Sequence, residues 1–427
     1  MTSLELVTIG TELLLGFTVD TNSAFLGQAF AEAGVRVARR TSVPDDPEAV
    51  REAVREALAR TGFVVTTGGL GPTRDDLSKK VVADLLRLPL VFRPEIWDEL
   101  SARWARMGRT INDRNRSQAE VPQGATVLPN RWGTAPGLWI AAAEGVVVML
   151  PGVPLEMRGL VTHEVVPRLA SMGRGLVVRS LTLRTTGIPE SLLAEQVSAV
   201  EDGIAPLTLA YLPSLEGVDL RLTAWNLPPE AAAAALQEAA ARFRAVVGNQ
   251  CYGAGDDDLA AVLLAACRSA GLTLALAESC TGGMIAERIT AVPGSSDAFL
   301  GGEVCYANSA KERLGVPPRI LEEHGAVSEE AVRAMAPLAR AKFGADLTVA
   351  VSGIAGPSGG SAEKPVGTVW FAFADAGGVE TRRVNFPGTR HEIRARASQY
   401  ALFGLLSRAK SAGAGGMGVA RLNTTLP

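Results

Sequence analysis

Histidine is nearly missing from this chain: His163, His324 and His391 are the only three in 427 residues. None lies near Glu278–Gly283 or Tyr306–Lys311 in sequence, so a histidine-activated nucleophile has little to draw on. Cysteine is almost as scarce, with four residues (Cys251, Cys267, Cys280, Cys305) and no C-x-x-C spacing among them. That excludes the usual zinc and disulfide patterns and leaves thiols buried as small hydrophobes. Cys280 is the one to follow, because it adjoins a candidate nucleophile. Charge of either sign is not in excess either: 42 basic against 45 acidic residues give −3, which provides no broad footprint for nucleic acid. No apolar run approaches the ~20 residues of a membrane helix. The start, Met1-Thr-Ser-Leu-Glu5, lacks the basic-then-apolar pattern of an export signal. A cytoplasmic protein with no membrane partner is expected.

What is present suits ordinary cores, with 47% hydrophobic and 20% charged residues. The length corresponds to about three domains. Over residues 1–168, strand and helix signals alternate: strands at Leu4–Ile9, Val35–Val43, Phe63–Thr67 and Val146–Leu150, helices at Asn22–Ala33 and Pro47–Arg60. Such β-α-β repetition predicts a parallel sheet covered on both faces. Residues 175–250 read as a small α+β unit, with strands at Val177–Thr185, Leu207–Tyr211 and Val218–Trp225 and helices at Pro189–Val200 and Pro229–Val247. Gly253-Ala-Gly-Asp-Asp-Asp258 reads as a linker, and β-α alternation resumes over 256–409. The fold class expected is therefore α/β: two parallel or mixed-sheet α/β domains joined by a small α+β spacer. The tail, 410–427, is glycine-rich and expected to be disordered.

The most informative segment lies in the last domain. A strand-like run, Leu272-Thr-Leu-Ala-Leu-Ala277, feeds into Glu278-Ser-Cys-Thr-Gly-Gly283 and then a helical stretch from Met284. Strand, short polar turn and helix form a device for presenting a hydroxyl at a helix N-terminus. Tyr306-Ala-Asn308-Ser-Ala-Lys311 follows, offering a phenol and an amine. An alcohol needs a base before it attacks, and lysine serves only when desolvation or nearby positive charge lowers its pKa. Backbone amides at the helix start, helped by Gly282 and Gly283, offer an oxyanion site. Tyr306 could relay the proton or orient the lysine. Ser352-Gly-Ile-Ala-Gly-Pro357 and Gly360–Thr368, the loop that carries Lys364, also concentrate small and polar residues at strand ends. Ligands bind beyond such ends in open α/β sheets. Arg390, in Phe386-Pro-Gly-Thr-Arg390, is a candidate phosphate ligand because its fork suits a phosphate. Each residue also has a plain structural reading: Ser279 as a helix N-cap, Lys311 as a solvated surface lysine, Tyr306 as a packed aromatic.

Together, Ala277–Gly283, Tyr306–Lys311, Val351–Pro357 and Lys364-Pro-Val-Gly-Thr368 resemble the CinA C-terminal family. That resemblance implies hydrolysis of the carboxamide of nicotinamide mononucleotide (NMN) to nicotinate mononucleotide and ammonia, without a cofactor. It implies Ser279 as nucleophile, Lys311 as general base and Tyr306 assisting. It also implies Thr281, Gly282, Gly283, Asn308, Ser352, Gly353, Gly356 and Arg390 around the substrate.

In the first domain, Gly68-Gly-Leu-Gly-Pro-Thr-Arg-Asp-Asp76 follows a strand and opens a helix. Its glycines allow close backbone approach to an anion, and it is neither a P-loop nor G-x-G-x-x-G. Asp75 and Asp76 are hard oxygen ligands for a divalent cation, or merely helix N-terminal acids that complement the dipole. Trp97, Trp132 and Trp139 read as core packing more readily than as base-stacking groups. With Ile9-Gly-Thr-Glu-Leu13, Asp20-Thr-Asn22, Gly133-Thr-Ala-Pro-Gly137 and Pro151-Gly-Val-Pro-Leu-Glu-Met157, this region resembles the molybdopterin-binding-like domain of full-length CinA proteins. The resemblance implies a metal-dependent ADP-ribose pyrophosphatase, with Gly68, Gly69, Gly71, Thr73, Asp20 and Asn22 at the substrate, Asp75 and Asp76 at the metal, and a homodimer. It leaves open a molybdenum-cofactor role with an inactive C-terminal domain. It also leaves a competence-associated binding protein, since the spacer resembles a KH-like module. Thr186-Gly-Ile-Pro-Glu190 lacks a G-x-x-G clamp, however, so nucleic acid is not the expected partner.

Overall fold

The computed structural model describes residues 2–73, 76–106, 108–172 and 175–413. The chain forms two compact units, 1–179 with 224–235, and 180–223 with 236–427. The first unit is built on a six-stranded sheet. Its strands are β1 (Thr2–Ile9), β2 (Val35–Val43), β3 (Phe63–Thr67), β6 (Thr126–Leu128), β7 (Gly137–Ala142) and β8 (Gly145–Leu150), in the order β2-β1-β3-β8-β7-β6. A separate two-stranded ribbon pairs β4 (Leu90–Phe92) with β5 (Glu120–Pro122).

β1, β2, β3 and β8 run parallel, whereas β7 and β6 add antiparallel strands, so the sheet is mixed. Side chains alternate along each central strand. Val7, Ile9, Val64, Val147 and Met149 pack into one core, while Leu4, Leu6, Phe63, Val65, Val148 and Leu150 pack into another. Burial on both faces explains why these strands read as continuous apolar runs. The helix Pro47–Thr61 starts where expected, with Pro47 in its first turn and Asp46 accepting from the amides of Glu48 and Ala49.

The second unit contains most of a four-stranded antiparallel sheet, β9 (Val177–Thr185), β10 (Thr208–Pro213), β11 (Val218–Leu227) and β12 (Cys251–Ala254), in the order β10-β11-β9-β12. β12 corrects the linker expectation: Gly253 and Ala254 pair with Arg184 and Leu183. The linker begins only after Ala254.

The same unit carries a five-stranded sheet, β14-β13-β15-β16-β17, with β13 (Leu274–Glu278), β14 (Phe299–Val304), β15 (Leu347–Gly353), β16 (Thr368–Asp375) and β17 (Gly378–Asn385). β13 runs parallel to β14 and β15, and β16 and β17 are antiparallel additions. One face presents Leu274, Leu276, Val349, Val351, Phe371 and Phe373 to the larger core. The other presents Ala277, Ala350, Ala372 and Ala374, against which the helix Glu329–Phe343 packs through Ala331, Met335, Ala336 and Ala339. Small side chains on that face let the helix approach closely, so the strand's alternation of large and small residues encodes its packing.

The strand expected at Val366–Phe373 lies two residues later, and the long final helix, Arg390–Gly413, extends into the stretch expected to be disordered. The rest of that tail lies outside the described residues. Among the described residues, no helix is long and apolar enough to cross a membrane.

Candidate functional site

In the five-stranded sheet, the parallel strands β14, β13 and β15 end side by side. β16 begins, and β17 ends, at that same end, because Gly353 pairs with Val369 and Thr368 with Asn385. Every loop singled out in the C-terminal sequence therefore emerges there, as the strand-end rule predicts.

The turn after β13 carries Ser279, which is buried, and is closed by the Gly282 amide donating to the Ser279 carbonyl at 3.1 Å. Gly282 and Gly283 hold positive φ angles of 61° and 94°, as the tight exit into the helix Met284–Thr290 requires. Lys311 comes from the helix Asn308–Leu314 and is 1% exposed. Its Nζ lies 3.0 Å from Ser279 Oγ, 2.7 Å from the Cys305 carbonyl and 3.2 Å from the Tyr306 carbonyl. Burial holds its pKa below the ordinary 10.5. Among the described residues it forms no ion pair.

A neutral amine has two N–H bonds and one lone pair. As an ammonium, Lys311 donates to Ser279 Oγ and to both carbonyls; once it is neutral, the carbonyls keep the two N–H bonds and the lone pair faces the Ser279 hydroxyl. The solvated-lysine reading is thereby excluded.

Ser279 is not the helix cap. Glu278, 1% exposed, accepts from the amides of Gly283 (3.0 Å), Ile285 (3.2 Å) and Ala286 (2.9 Å). This corrects the expectation that helix-start amides, Gly283 among them, serve an oxyanion. A buried carboxylate already occupies them, and Gly282's amide closes the turn. The amides of Cys280 and Thr281 remain; they donate to the Cys280 sulfur, a weak acceptor, and bond to no oxygen among the described residues. From the other side, Arg394 donates to the carbonyls of Cys280 (3.1 Å) and Thr281 (2.7 Å). Sequence reasoning gave neither Glu278 nor Arg394 a role. The available signals were an acid directly before the turn and an arginine four residues after Arg390, on the same helical face.

Tyr306 is 58% exposed, and its hydroxyl accepts from Arg390 at 2.8 Å, so its backbone carbonyl, not its phenol, contacts Lys311. Arg390 also donates to the Gly356 carbonyl at 2.8 Å. Ser352 is buried and donates to the Ala326 carbonyl at 2.6 Å; Gly353 ends β15 beside Val369. Asn308 is the exposed first residue of its helix. Thr281 is fully buried and its hydroxyl has no partner among the described residues, so it lies behind the turn and not open to solvent. Burial pushes the Cys280 thiol up to about 12.

In the first unit, Gly68, Gly69, Gly71, Thr73 and Asp76 line a cleft of about 410 Å³ together with Glu12, Asp45 and Glu156. Gly68 has φ +105° and passes so close to the Ile9 carbonyl that a Cβ would clash. Asp76 accepts from the amide and hydroxyl of Thr73 at 2.8 and 2.5 Å, and Asp75 lies outside the described residues. Asp20 caps the helix Thr21–Glu32 through Ser23, and Asn22 donates to the Gly152 carbonyl at 2.8 Å. Asn22 thereby braces a residue of the cleft wall, since Gly152 lines it, whereas Asp20 serves its own helix. Lys79, which the sequence did not single out, donates to the Ser117 carbonyl. Burial pushes its pKa down to about 8 against the pull of Glu120 and Asp76. Trp139 packs on Phe63 and Trp97 on Phe92 against the two cores, the role expected, whereas the half-buried Trp132 stacks on the exposed His163 and joins neither core.

No three acidic, histidine or cysteine side chains among the described residues gather closely enough to hold a cation. Hard oxygen donors of Glu12, Asp45, Asp76 and Glu156 line the cleft, and Asp75, the other expected ligand, lies outside the described residues.

Fold and site define a multidomain α/β protein with a buried serine–lysine pair at the strand ends of its C-terminal sheet. Residues 256–409 match the family model "CinA C-terminal domain", residues 5–171 "Probable molybdopterin binding domain" and residues 180–253 "Damage-inducible protein CinA KH domain". A CinA-like protein from Gemmatimonas aurantiaca is 52% identical over 404 residues, covering 93% of this chain and 94% of the relative. Another, from Parasynechococcus marenigrum, is 45% identical over 390 residues, covering 90% and 93%. A solved competence/damage inducible protein from Agrobacterium tumefaciens is 41% identical, covering 35% of this chain and 92% of that one, with a TM-score of 0.34. This chain belongs to the CinA family.

Proposed function

We propose that the C-terminal site hydrolyses the carboxamide of NMN, giving nicotinate mononucleotide and ammonia. The observation that carries this reading is the buried Lys311 amine 3.0 Å from Ser279 Oγ, with two carbonyl acceptors for its hydrogens. Lys311 takes the hydroxyl proton as Oγ attacks the carboxamide carbon. The amides of Cys280 and Thr281 receive the developing oxyanion. Collapse of the tetrahedral intermediate breaks the C–N bond as the Lys311 ammonium gives its proton to the amide nitrogen, which departs as ammonia. Water then attacks the acyl-serine, with Lys311 again as base. Arg390, on the exposed side of the site and already bonded to Tyr306, is the group suited to the substrate's phosphate.

The test is mass spectrometry of products from NMN with the wild type and Ser279→Ala. Ammonia and nicotinate mononucleotide are expected from the wild type, with turnover lowered at least ~10³-fold in the variant. An unreactive wild type, or an unimpaired variant, refutes the reading.

A second reading attaches to the N-terminal cleft, where closely approaching glycine backbone lies beside hard oxygen donors. It is hydrolysis of the diphosphate of ADP-ribose with a divalent cation supplied in solution. ADP-ribose left intact with Mg²⁺, Mn²⁺ and Co²⁺ alike removes it.

A further inference from the structure

We propose that Arg394 is a positioning residue for the reaction: it aims and polarises the Thr281 amide that receives the oxyanion. The inference rests on the amide-hydrolysis reading and goes further, to a residue that touches neither substrate nor nucleophile. Arg394 lies on the final helix, half-buried, one turn beyond Arg390. Its Nε donates to the Cys280 carbonyl at 3.1 Å and its Nη2 to the Thr281 carbonyl at 2.7 Å. Among the described residues it forms no ion pair, so these carbonyl dipoles are its principal charge partners.

In a trans peptide the carbonyl of one residue and the N–H of the next point in opposite directions. Fixing the Cys280 carbonyl on Arg394 therefore fixes the Thr281 N–H on the far side of that peptide. A cation on the carbonyl end draws electron density along the amide and strengthens its N–H as a donor. Fixing the Thr281 carbonyl likewise directs the Gly282 N–H, which closes the turn onto Ser279. Glu278 completes the arrangement from the helix side by occupying the amides of Gly283, Ile285 and Ala286. A buried carboxylate and a guanidinium thus hold the two sides of one short turn, with the amides of Cys280 and Thr281, which face the Cys280 sulfur and no oxygen, between them.

The alternative is that Arg394 only ties the final helix down. The two roles separate in the kinetics of Arg394→Ala and Arg394→Lys, measured in the full chain. A positioning role predicts kcat down by ~10²-fold in Arg394→Ala, the loss typical of one oxyanion donor, with KM and the acid limb of the pH profile unchanged. Millimolar guanidinium should restore part of the rate. Arg394→Lys, whose single ammonium cannot span both carbonyls as the fork does, should fall between. If Arg394→Ala does not fold, Arg394→Lys carries the same comparison.

A folded variant within twofold of the wild-type kcat, or a loss confined to KM, overturns the proposal. So does a loss that guanidinium leaves untouched. Acylation of Ser279 by p-nitrophenyl acetate, followed by mass, keeps this apart from the substrate reading. A wild type that acylates but releases no ammonia from NMN refutes that substrate. The dependence of acylation on Arg394 then still decides the inference.

Discussion

Lys311 has carbonyl and hydroxyl neighbours but no counter-ion among the described residues, and that imbalance governs how the site responds to pH. Burial lowers its folded-state pKa from 10.5. Below the lowered value the amine is protonated and cannot accept from Ser279; above it, the lone pair is free. kcat/KM should therefore rise with pH along an acid limb whose midpoint lies below 10.5. An acid limb at or above that value would show the amine to be solvated. Stability follows the same sign. The unfolded chain holds this proton more tightly, so stability grows as pH rises between the lowered pKa and 10.5 and is lost as pH falls through the lowered value. Cys280 should take no part. Its thiol, pushed up to about 12, is neutral at physiological pH, so Cys280→Ala should keep its turnover and Ser279→Ala should not. The reverse pair of results would make the sulfur the nucleophile.

At the scale of elements, the helix Met284–Thr290 depends on a residue outside it. Glu278→Ala would leave three amides without an acceptor beside a buried turn. Each unsatisfied buried group costs ~1–3 kcal/mol, with partial relief from entering water. A lower urea midpoint and a lower kcat are expected together, with Glu278→Gln recovering part of both; unchanged values in Glu278→Ala would deny the capping role. This element also shows why the site was only partly legible in sequence. β13 was readable because an apolar run meets a polar glycine turn, and the serine and lysine were readable by residue type and motif. Glu278 was not, because its partners are backbone amides, which have no identity in a sequence. Nor was the burial of Lys311, since a lone lysine on a short helix looks the same whether it points into solvent or under a strand end. β14 hides for a related reason: Gly301 and Gly302 interrupt its apolar pattern, and only pairing with β13 makes Phe299–Val304 a strand. In the first unit, the strands buried on both faces were the readable ones, whereas the short β6 carries too few residues for a pattern.

At the scale of the whole molecule, each candidate site is built from residues of one unit. The serine–lysine site draws on residues 278 to 394 of the second unit, and the glycine-lined cleft on residues 9 to 156 of the first. Neither set borrows a side chain from the other, so the chemistry of each should survive loss of the other. Ser279→Ala should abolish ammonia release from NMN while leaving any turnover of ADP-ribose within twofold. Asp76→Asn, which removes a charge from the cleft and weakens its hold on Thr73, should do the reverse. Both substrates and both variants can be followed by product mass in one set of reactions, with the double variant inactive in each channel. Independence requires the two effects to multiply. If Ser279→Ala altered ADP-ribose turnover several-fold, the sites would be energetically coupled, and the same coupling should then appear when saturating NMN changes the apparent affinity for ADP-ribose.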